Sequence, residues 1–333
     1  MKNTQIKSST ISSLEVGQLR LMTRAARLHH VEGERQIEIA EKLGISQAGV
    51  SRLLSMAEAQ GIIRKIVVPP DGLFPELEEG LLCQFKLSAA YVVDVGHANI
   101  NLSQELGLAA AQLLQGEILD SKILGFTSWS STLREMAVNM APLVNCKVKY
   151  VAETLGDLGS PILQHEADVA TIKMARALGA EPLFLRTPGV VSNSELRRVA
   201  EKDVHIRQTL NILNQVDTVL VGLGPCDFHG PLLENENFFS KEQLAQLRKD
   251  GAVGQLHQRF ININGQPIQT ELHERVVGMS LEQLRNAKKR IVIAGGKQKL
   301  RALSAALAGH WIDVLLTDVD SAHYLLGKQE SQD

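Results

Sequence analysis

The segment Gln36–Leu53 places a small residue, a glycine and several apolar residues at the spacing of two short helices that meet at a tight turn. Ala40 is small where the two helices must approach each other, and Gly44 can take the positive φ that the corner requires. Val50 follows on the inner face of the second helix. This pattern predicts a helix-turn-helix. An ordinary αα-hairpin with a glycine corner is the alternative, and it is disfavoured because so many positions fall in register.

The second helix of this pair exposes short polar side chains and one arginine. Such side chains hydrogen-bond base edges when a helix lies in the major groove of DNA. We expect Gln47 to read an adenine edge and Arg52 to contact guanine or a phosphate. The predicted DNA-contacting residues are Gln36, Ser46, Gln47, Ala48, Ser51 and Arg52.

Charge is distributed unevenly along the chain. Residues 1–65 contain ten Lys or Arg and six Asp or Glu, whereas residues 66–333 contain 25 and 31. A basic end attracts the phosphate backbone, so double-stranded DNA is the expected partner. An RNA-binding module is disfavoured because no aromatic stacking pattern accompanies the basic end.

The length of 333 residues is too great for one small core. We predict a winged helix-turn-helix domain at residues 1–68, a linker at 69–79, and an effector-binding and oligomerisation domain at 80–333. The apolar alternation of Ile62–Val68 predicts the wing. The prolines and glycine that follow it predict a stiff hinge.

The composition, 44% hydrophobic and 22% charged, is that of an ordinary globular protein. No apolar run reaches the roughly 18 residues of a membrane-spanning helix, and the polar N-terminus lacks the apolar core of a signal peptide. We therefore expect a cytoplasmic protein. The three cysteines form no CxxC pair, so neither a disulfide nor a metal site is expected, and no cofactor is predicted.

After about residue 80, short β-branched runs alternate with amphipathic segments. This alternation predicts βαβ units and an α/β domain with a Rossmann-like, mostly parallel sheet. The predicted strands are Tyr91–Val95, Lys122–Phe126, Val148–Ala152, Leu183–Leu185, Thr218–Gly222, Arg290–Ala294 and Val314–Thr317. The predicted helices include Leu102–Leu114, Thr132–Met140, His165–Leu178 and Leu300–Ala308. The Asn-Gly pair in Arg259–Ile268 predicts an inserted antiparallel hairpin.

Ligands of an open α/β sheet bind at the C-terminal ends of its strands. Four loops there are rich in small polar residues or glycine: Gly125–Thr132, Leu155–Gly159, Gly222–Asp227 and Gly295–Lys299. The hydroxyls of the first loop and the Gly-Gly-Lys of the fourth precede helices, which suits an anionic group. A glycine after a strand is also consistent with an ordinary turn, so each loop alone is weak evidence.

The loops lack the motifs that bind nucleotide cofactors. The Gly295–Lys299 loop does not have the full Walker spacing, and no GxGxxG opens a strand–helix unit. ATP and NAD are therefore disfavoured, and a small phosphorylated or polyhydroxylated molecule is expected. His165, at the start of a predicted helix, could reach its hydroxyls or could equally be a surface histidine.

Six segments occur in one order along the chain: VEGERQIEIAEKLGISQAGVSRLL, SWSSTL, YVAETLGDLG, VGLG, IAGGKQK and VLLTD. In this combination they resemble the SorC-type sugar-responsive transcriptional regulators of bacteria over nearly the whole chain. The resemblance implies an N-terminal winged helix-turn-helix and a C-terminal effector domain similar to sugar-phosphate isomerases. It also implies an oligomer, often a tetramer, that responds to a phosphorylated sugar or a related metabolite.

The resemblance also assigns residues to the effector site. Ser130–Thr132 match the family's phosphate-cradling loop, and Gly295–Lys299 its second effector loop. His165 and Gln255 fall where relatives place polar contacts. Together with Asp227 from the third loop above, the predicted effector-binding residues are Ser130, Ser131, Thr132, His165, Asp227, Gln255, Gly295, Gly296 and Lys299.

Two residues depart from the pattern of the family. Leu155 stands where one branch carries a lysine that forms a Schiff base with its sugar phosphate, so covalent capture is not expected. Asp157 replaces a glycine and adds a negative charge, which favours a hydroxyl-rich and less anionic ligand. A free sugar or polyol is therefore an alternative to a phosphorylated effector.

These inferences predict a DNA-binding regulator of a carbohydrate or polyol catabolic operon, controlled by a sugar, polyol or sugar-phosphate effector. We expect a dimer or tetramer, because one helix-turn-helix makes few base contacts. The alternative is a sugar-phosphate isomerase-like enzyme with a DNA-binding appendage, since one fold hosts many functions. Its candidate bases, none in a recognisable proton-transfer motif, are Asp157, Glu166, Asp227 and Asp318.

Overall fold

The structure is a computed structural model, and it describes residues 13–63, 70–95, 101–159, 161–226 and 238–327. The chain divides into two compact units, Met1–Val68 and Pro69–Asp333, and each is described by itself. Within the described residues, no helix is both long enough and apolar enough to cross a lipid bilayer.

Three helices make up the described part of the first unit: α1 (Ser13–His30), α2 (Gln36–Leu43) and α3 (Gln47–Ala59). Each contributes an apolar stripe to one common core, as the spacing of apolar residues in the sequence predicts. The most buried side chains of this core are Met22, Ala25, Ile39, Val50 and Ala57. Helices α1 and α2 both pack against α3 through these residues.

The corner between α2 and α3 has the geometry that the sequence predicts. Gly44 takes the left-handed conformation, with a φ of 66°. Ser46 caps α3, because its hydroxyl accepts a hydrogen bond from the Gly49 N–H at 3.1 Å. The predicted wing at Ile62–Val68 falls largely on residues 64–69, which lie outside the described residues.

The second unit contains a seven-stranded sheet and a small three-stranded sheet. Its strands are β1 (Ala89–Val93), β2 (Ile123–Phe126), β3 (Tyr150–Glu153), β4 (Glu181–Leu183), β5 (Thr218–Val221), β6 (Leu223–Pro225), β7 (Ala252–Leu256), β8 (Arg259–Asn262), β9 (Lys289–Ile293) and β10 (Val314–Asp318). Its helices are α4 (Pro75–Phe85), α5 (Leu102–Leu113), α6 (Gln115–Ile118), α7 (Ser131–Asn139), α8 (Pro161–Leu178), α9 (Ser194–Ala200), α10 (Val204–Leu213), α11 (Lys241–Lys249), α12 (Leu281–Asn286), α13 (Leu300–Ala308) and α14 (Val319–Leu325). A 3-10 helix spans Glu271–Arg275.

The large sheet has the strand order β1-β10-β9-β5-β2-β3-β4, and every pair in it is parallel. Its seven strands are the seven predicted ones, with ends displaced by no more than two residues. Successive residues of the central strands enter different cores: Val219 and Val221 pack in one, and Leu220 in the other. The sheet is therefore covered by apolar side chains on both faces, as a parallel sheet requires.

The small sheet, β6-β7-β8, is antiparallel. The predicted hairpin in Arg259–Ile268 is present in part: at its turn the Gly265 N–H donates to the Asn262 carbonyl at 2.8 Å. However, the main partner of β8 is β7, which the prediction omitted. The two strands are joined by His257 and Gln258.

The predicted linker at residues 69–79 is shorter in the structure, because Pro75 begins α4. Proline suits the first position of a helix, where no partner is required for its nitrogen. Leu77 and Leu81 then pack in the core of the second unit. The Glu78 carboxylate accepts a hydrogen bond from the Val92 N–H at 3.0 Å, which ties α4 to β1.

Candidate functional site

Two neighbouring cavities lie at the C-terminal edge of the parallel sheet. The first has a volume of about 220 Å³ and is lined by the loop after β2, the β5–β6 connection and the β7–β8 turn. The second has a volume of about 310 Å³ and lies between the start of α5 and the loop after β9. Of the predicted effector residues, the first cavity brings together Ser130, Ser131, Gln255 and Lys299. The second brings together Thr132, Gly295, Gly296 and Lys299.

Lys299 lines both cavities and immediately precedes α13. Burial lowers the pKa of its ammonium group below the ordinary value, because the charged form loses its solvation. Among the residues that the structure describes, no carboxylate forms an ion pair with it. A desolvated cation without a counter-charge is stabilised by an anion, so an anionic ligand group fits beside Lys299.

The glycine loop before Lys299 is held by Asp318. The Gly296 N–H donates to the Asp318 carboxylate at 2.9 Å and to the Ser321 hydroxyl at 2.9 Å. Asp318 also caps α14, since its other oxygen accepts from the Ser321 N–H at 2.9 Å. The free backbone N–H groups of a Gly-Gly turn before a helix could bind an anionic ligand, but the Gly296 N–H is already used inside the protein.

The serine loop after β2 offers hydroxyls to both cavities. Ser130 caps α7 by accepting a hydrogen bond from the Leu133 N–H at 3.4 Å. The Ser131 hydroxyl donates to the Ser103 hydroxyl on α5 at 3.2 Å. Thr132 is buried and lines the second cavity. The loop therefore opens α7 at this edge of the sheet, and the hydroxyls of Ser130 and Ser131 already have partners in the protein.

Further side chains line the first cavity and were not among the predicted effector residues; they include Trp129, His257 and Gln258. Trp129 stands within the small polar SWSSTL loop, where one large aromatic residue was an available signal. Gln255 is fixed beside this turn, because its amide oxygen accepts from the Gln258 N–H at 2.7 Å. His257 and Gln258 had no local signal, since Asn and Gly are the residues that mark hairpin turns.

The other predicted effector residues lie elsewhere. His165 is exposed at the start of α8 and is not among the residues that line the two cavities. Asp227 lies outside the described residues. Leu155, which stands in place of the Schiff-base lysine, is buried and lines the first cavity. That part of the cavity wall is therefore apolar.

None of the three described candidate bases of the enzyme alternative lines either cavity. Asp318 is engaged by the glycine loop, and Glu166 lies 3.5 Å from the Arg134 guanidinium. Burial raises the pKa of Asp157 to about 6, and its backbone pairs with the segment at Pro188. These carboxylates have structural surroundings rather than access to a ligand in the cavities.

Glu153, at the end of β3, should make stability depend on pH. It accepts hydrogen bonds from the Leu185 N–H and the Thr171 hydroxyl, both at 3.0 Å, and burial raises its pKa to about 7. The folded-state pKa exceeds the unfolded value of about 4.3, so its contribution is fully present below pH 4 and is lost as pH rises through 7. We expect Glu153→Gln to raise the free energy of unfolding at pH 8 by about 2–3 kcal/mol and to change it little at pH 4.

Urea unfolding at both pH values measures this difference. The exposed Glu79 on α4 provides a matched control, and Glu79→Gln should behave alike at pH 4 and pH 8. A Glu153→Gln effect of the same size at both pH values would contradict the raised pKa.

In the first unit, the predicted DNA-contacting face of α3 is open to solvent. Gln47, Ala48, Ser51 and Arg52 are all exposed. The Arg52 side chain donates to the Ala48 carbonyl at 3.3 Å, which holds it along the helix. Gln36, at the start of α2, is partly buried.

Comparison with known proteins identifies the second unit. A family model described as "Putative sugar-binding domain" matches residues 73–327. The deoxyribonucleoside regulator of Bacillus subtilis (strain 168) is 30% identical over 311 residues, which cover 92% of this chain and 97% of the relative. The sorbitol operon regulator of Klebsiella pneumoniae is 25% identical over 314 residues, which cover 92% of this chain and 98% of the relative.

A solved structure extends this similarity to both units. The crystal structure of the full-length sorbitol operon regulator SorC from Klebsiella pneumoniae has a TM-score of 0.71 and 26% sequence identity. The match covers 93% of this chain and 99% of that one. The chain therefore belongs to the SorC-type family of transcriptional regulators that carry this sugar-binding domain.

Proposed function

We propose that this protein is a sequence-specific DNA-binding regulator whose DNA affinity is controlled by a small effector. In this proposal residues 1–68 form a winged helix-turn-helix domain, and the unit from α4 onwards binds the effector and forms the oligomer. The observation that carries the proposal is the setting of Lys299. It is a half-buried ammonium that lines two cavities beside serine and glutamine side chains, and no described residue lining them has a carboxylate that could act as a base.

The effector that fits this setting is a small sugar, polyol or sugar phosphate. Lys299 suits one anionic group, while serine hydroxyls and glutamine amides suit the hydroxyls of a carbohydrate. Relatives named for deoxyribonucleosides and for sorbitol support a hydroxylated ligand. The operon that such a regulator controls would serve the catabolism of that carbohydrate or polyol.

An isomerase is the second candidate, and the geometry disfavours it. Isomerisation needs a base beside the sugar carbonyl. His257 lines the first cavity, but burial lowers its pKa to about 3, so it is a weak base at neutral pH. An assay for isomerisation of common sugar phosphates separates the two functions, and we expect no turnover.

The proposed function is tested in two measurements on the full chain. A thermal-shift screen of sugars, polyols and their phosphates should find a compound that raises the melting temperature, because a ligand stabilises the state that it binds. Fluorescence anisotropy with operator DNA should then change on addition of that compound. A stabilising compound that leaves DNA affinity unchanged would overturn effector control.

Gln47 on α3 should contribute to base readout. We expect Gln47→Ala to relax base preference and to cost about 1–3 kcal/mol at the cognate site, because a glutamine pairs with an adenine edge through two hydrogen bonds. Binding to a panel of operator variants measures both effects. Gln60, exposed at the other end of α3, is the matched control. Unchanged base preference in Gln47→Ala would remove this residue from the readout.

The functional unit should be at least a dimer that reads a two-fold site. Paired half-sites about one helical turn apart supply the base contacts that a single α3 lacks. Val16 and Leu21 on α1 are partly exposed apolar residues that contacts between subunits could cover. Light scattering at micromolar concentration measures the mass, and a monomer both with and without DNA would contradict the expectation.

A further inference from the structure

The turn between β7 and β8 consists of two adjacent residues with positive φ that are not glycine. His257 has a φ of 48° and Gln258 a φ of 62°. A two-residue hairpin turn of this kind favours Asn-Gly, because other side chains are strained in the left-handed region. Strain of this sort is kept where the surroundings enforce it, and such places are concentrated at binding sites.

Both side chains of this turn are buried, and each has one polar atom without a partner. His257 is 2% exposed, Gln258 is 6% exposed, and both line the first cavity. The Nδ1 atom of His257 and the Oε1 atom of Gln258 form no hydrogen bond in the structure. Buried polar atoms are almost always paired, so two unpaired ones on neighbouring residues beside a cavity call for a ligand.

The hydrogen bonds around Thr127 favour one tautomer of His257. The Thr127 hydroxyl lies 2.9 Å from the Leu220 carbonyl, 3.0 Å from the Thr154 hydroxyl and 3.1 Å from the Gly222 N–H, from which it accepts. We assign its one proton to the Leu220 carbonyl, and His257 Nε2, at 2.8 Å from the same hydroxyl, is then the donor. The neutral ring then carries its lone pair on Nδ1, so both unpaired atoms of the turn are acceptors.

Lys299 and this turn line the same cavity with opposite chemistry. Lys299 donates and attracts an anion, whereas His257 Nδ1 and Gln258 Oε1 accept only. A phosphate or carboxylate beside the turn would leave both acceptors unpaired, while a hydroxyl would satisfy them. We propose that His257 and Gln258 are specificity-determining residues that accept hydrogen bonds from ligand hydroxyls and reject a second anionic group at that end. This inference rests on the proposed role of the first cavity as the effector site.

The test uses Gln258→Gly in the full chain. Glycine relieves the positive φ and removes one acceptor, so the variant should be at least as thermally stable as the wild type. The control is Asn145→Gly, an exposed residue with a φ of 61° that lies away from both cavities. The probes are sorbitol, sorbitol 6-phosphate, fructose 6-phosphate and fructose 1,6-bisphosphate, measured by calorimetry.

We expect the wild type to prefer a monophosphate or a free polyol over the bisphosphate. Gln258→Gly should lower the affinity for the preferred probe at least tenfold and reduce the ratio of that affinity to the affinity for the bisphosphate. Asn145→Gly should bind all four probes with wild-type affinity. On adding the preferred probe to the wild type, the ¹⁵N resonance of His257 Nδ1 should shift.

The inference is overturned if Gln258→Gly binds the preferred probe with wild-type affinity while Lys299→Ala loses it. In that case the cavity remains the effector site and only the role of the turn is wrong. It is also overturned if the bisphosphate is the preferred probe of the wild type. If no probe binds the wild type, the proposed effector class and the inference fail together.

Discussion

Lys299→Ala is expected to weaken effector binding about ten- to hundredfold, because a hydrogen bond to a charged group contributes about 1.5–3 kcal/mol. Effector-free DNA binding should stay nearly intact, because the residue belongs to the second unit and α3, the proposed DNA-reading helix, to the first. Calorimetry with the effector and anisotropy with operator DNA measure the two properties separately. Lys299→Ala should thus bind operator DNA, but its DNA affinity should no longer change when the effector is added.

Salt separates the two kinds of effector in this experiment. If the ligand is phosphorylated, the difference in effector affinity between the wild type and Lys299→Ala should shrink as ionic strength rises. For a neutral polyol that difference should stay constant. The control is Arg301→Ala, an exposed cation in the first turn of α13 that lines neither cavity. Normal effector binding by Lys299→Ala would refute the assignment, as would loss of DNA binding in a folded protein.

Gly295→Ala is expected to have the second large effect. A Cβ at this position would overlap the buried carboxylate of Asp318. Asp318 would have to move, and it would then give up its bonds to the Gly296 N–H at 2.9 Å and to the Ser321 hydroxyl at 2.7 Å. We expect a loss of about 2–4 kcal/mol in the free energy of unfolding, since buried polar groups lose their partners.

Urea unfolding measures this loss, and effector binding should fall with it because the same loop carries Lys299. The matched control is Gly116→Ala, at which an added Cβ meets no atom within 4 Å. That substitution lies in α6 and should be neutral or slightly stabilising, because alanine is the better helix former. Equal stability of the two variants would show that the glycine loop can rearrange around Asp318 without cost.

The large sheet could be predicted from the sequence because each of its strands is a short apolar run between helical patterns. The run at Thr218–Gly222 is an example: all four residues of β5 are buried, as a central parallel strand requires. Helix α4 was missed because its one proline and its acidic residues are equally typical of a linker. Its packing against β1 and α14 distinguishes the two, and α14 lies at the far end of the second unit's sequence.

The positions of the candidate site residues on the sheet's loops could be predicted for a similar reason: Ser130–Thr132 and Gly295–Lys299 follow strands whose ends meet at one edge. The use of the Gly296 N–H could not be predicted, because its acceptor Asp318 lies 22 residues further along the chain. His257 and Gln258 could not be predicted either. Their position depends on β7, a strand whose sequence Ala-Val-Gly-Gln-Leu has little β signature.

The pairing of the first and last strands of the second unit has a practical consequence. Ala89 of β1 lies opposite Val314 of β10, and the Gln84 side chain on α4 donates to the Leu325 carbonyl on α14 at 3.0 Å. The entry and the exit of this unit therefore meet at one corner. Domains whose ends are adjacent tolerate circular permutation and insertion into other chains. We therefore expect the unit to accept a fluorescent or enzymatic reporter joined at either end.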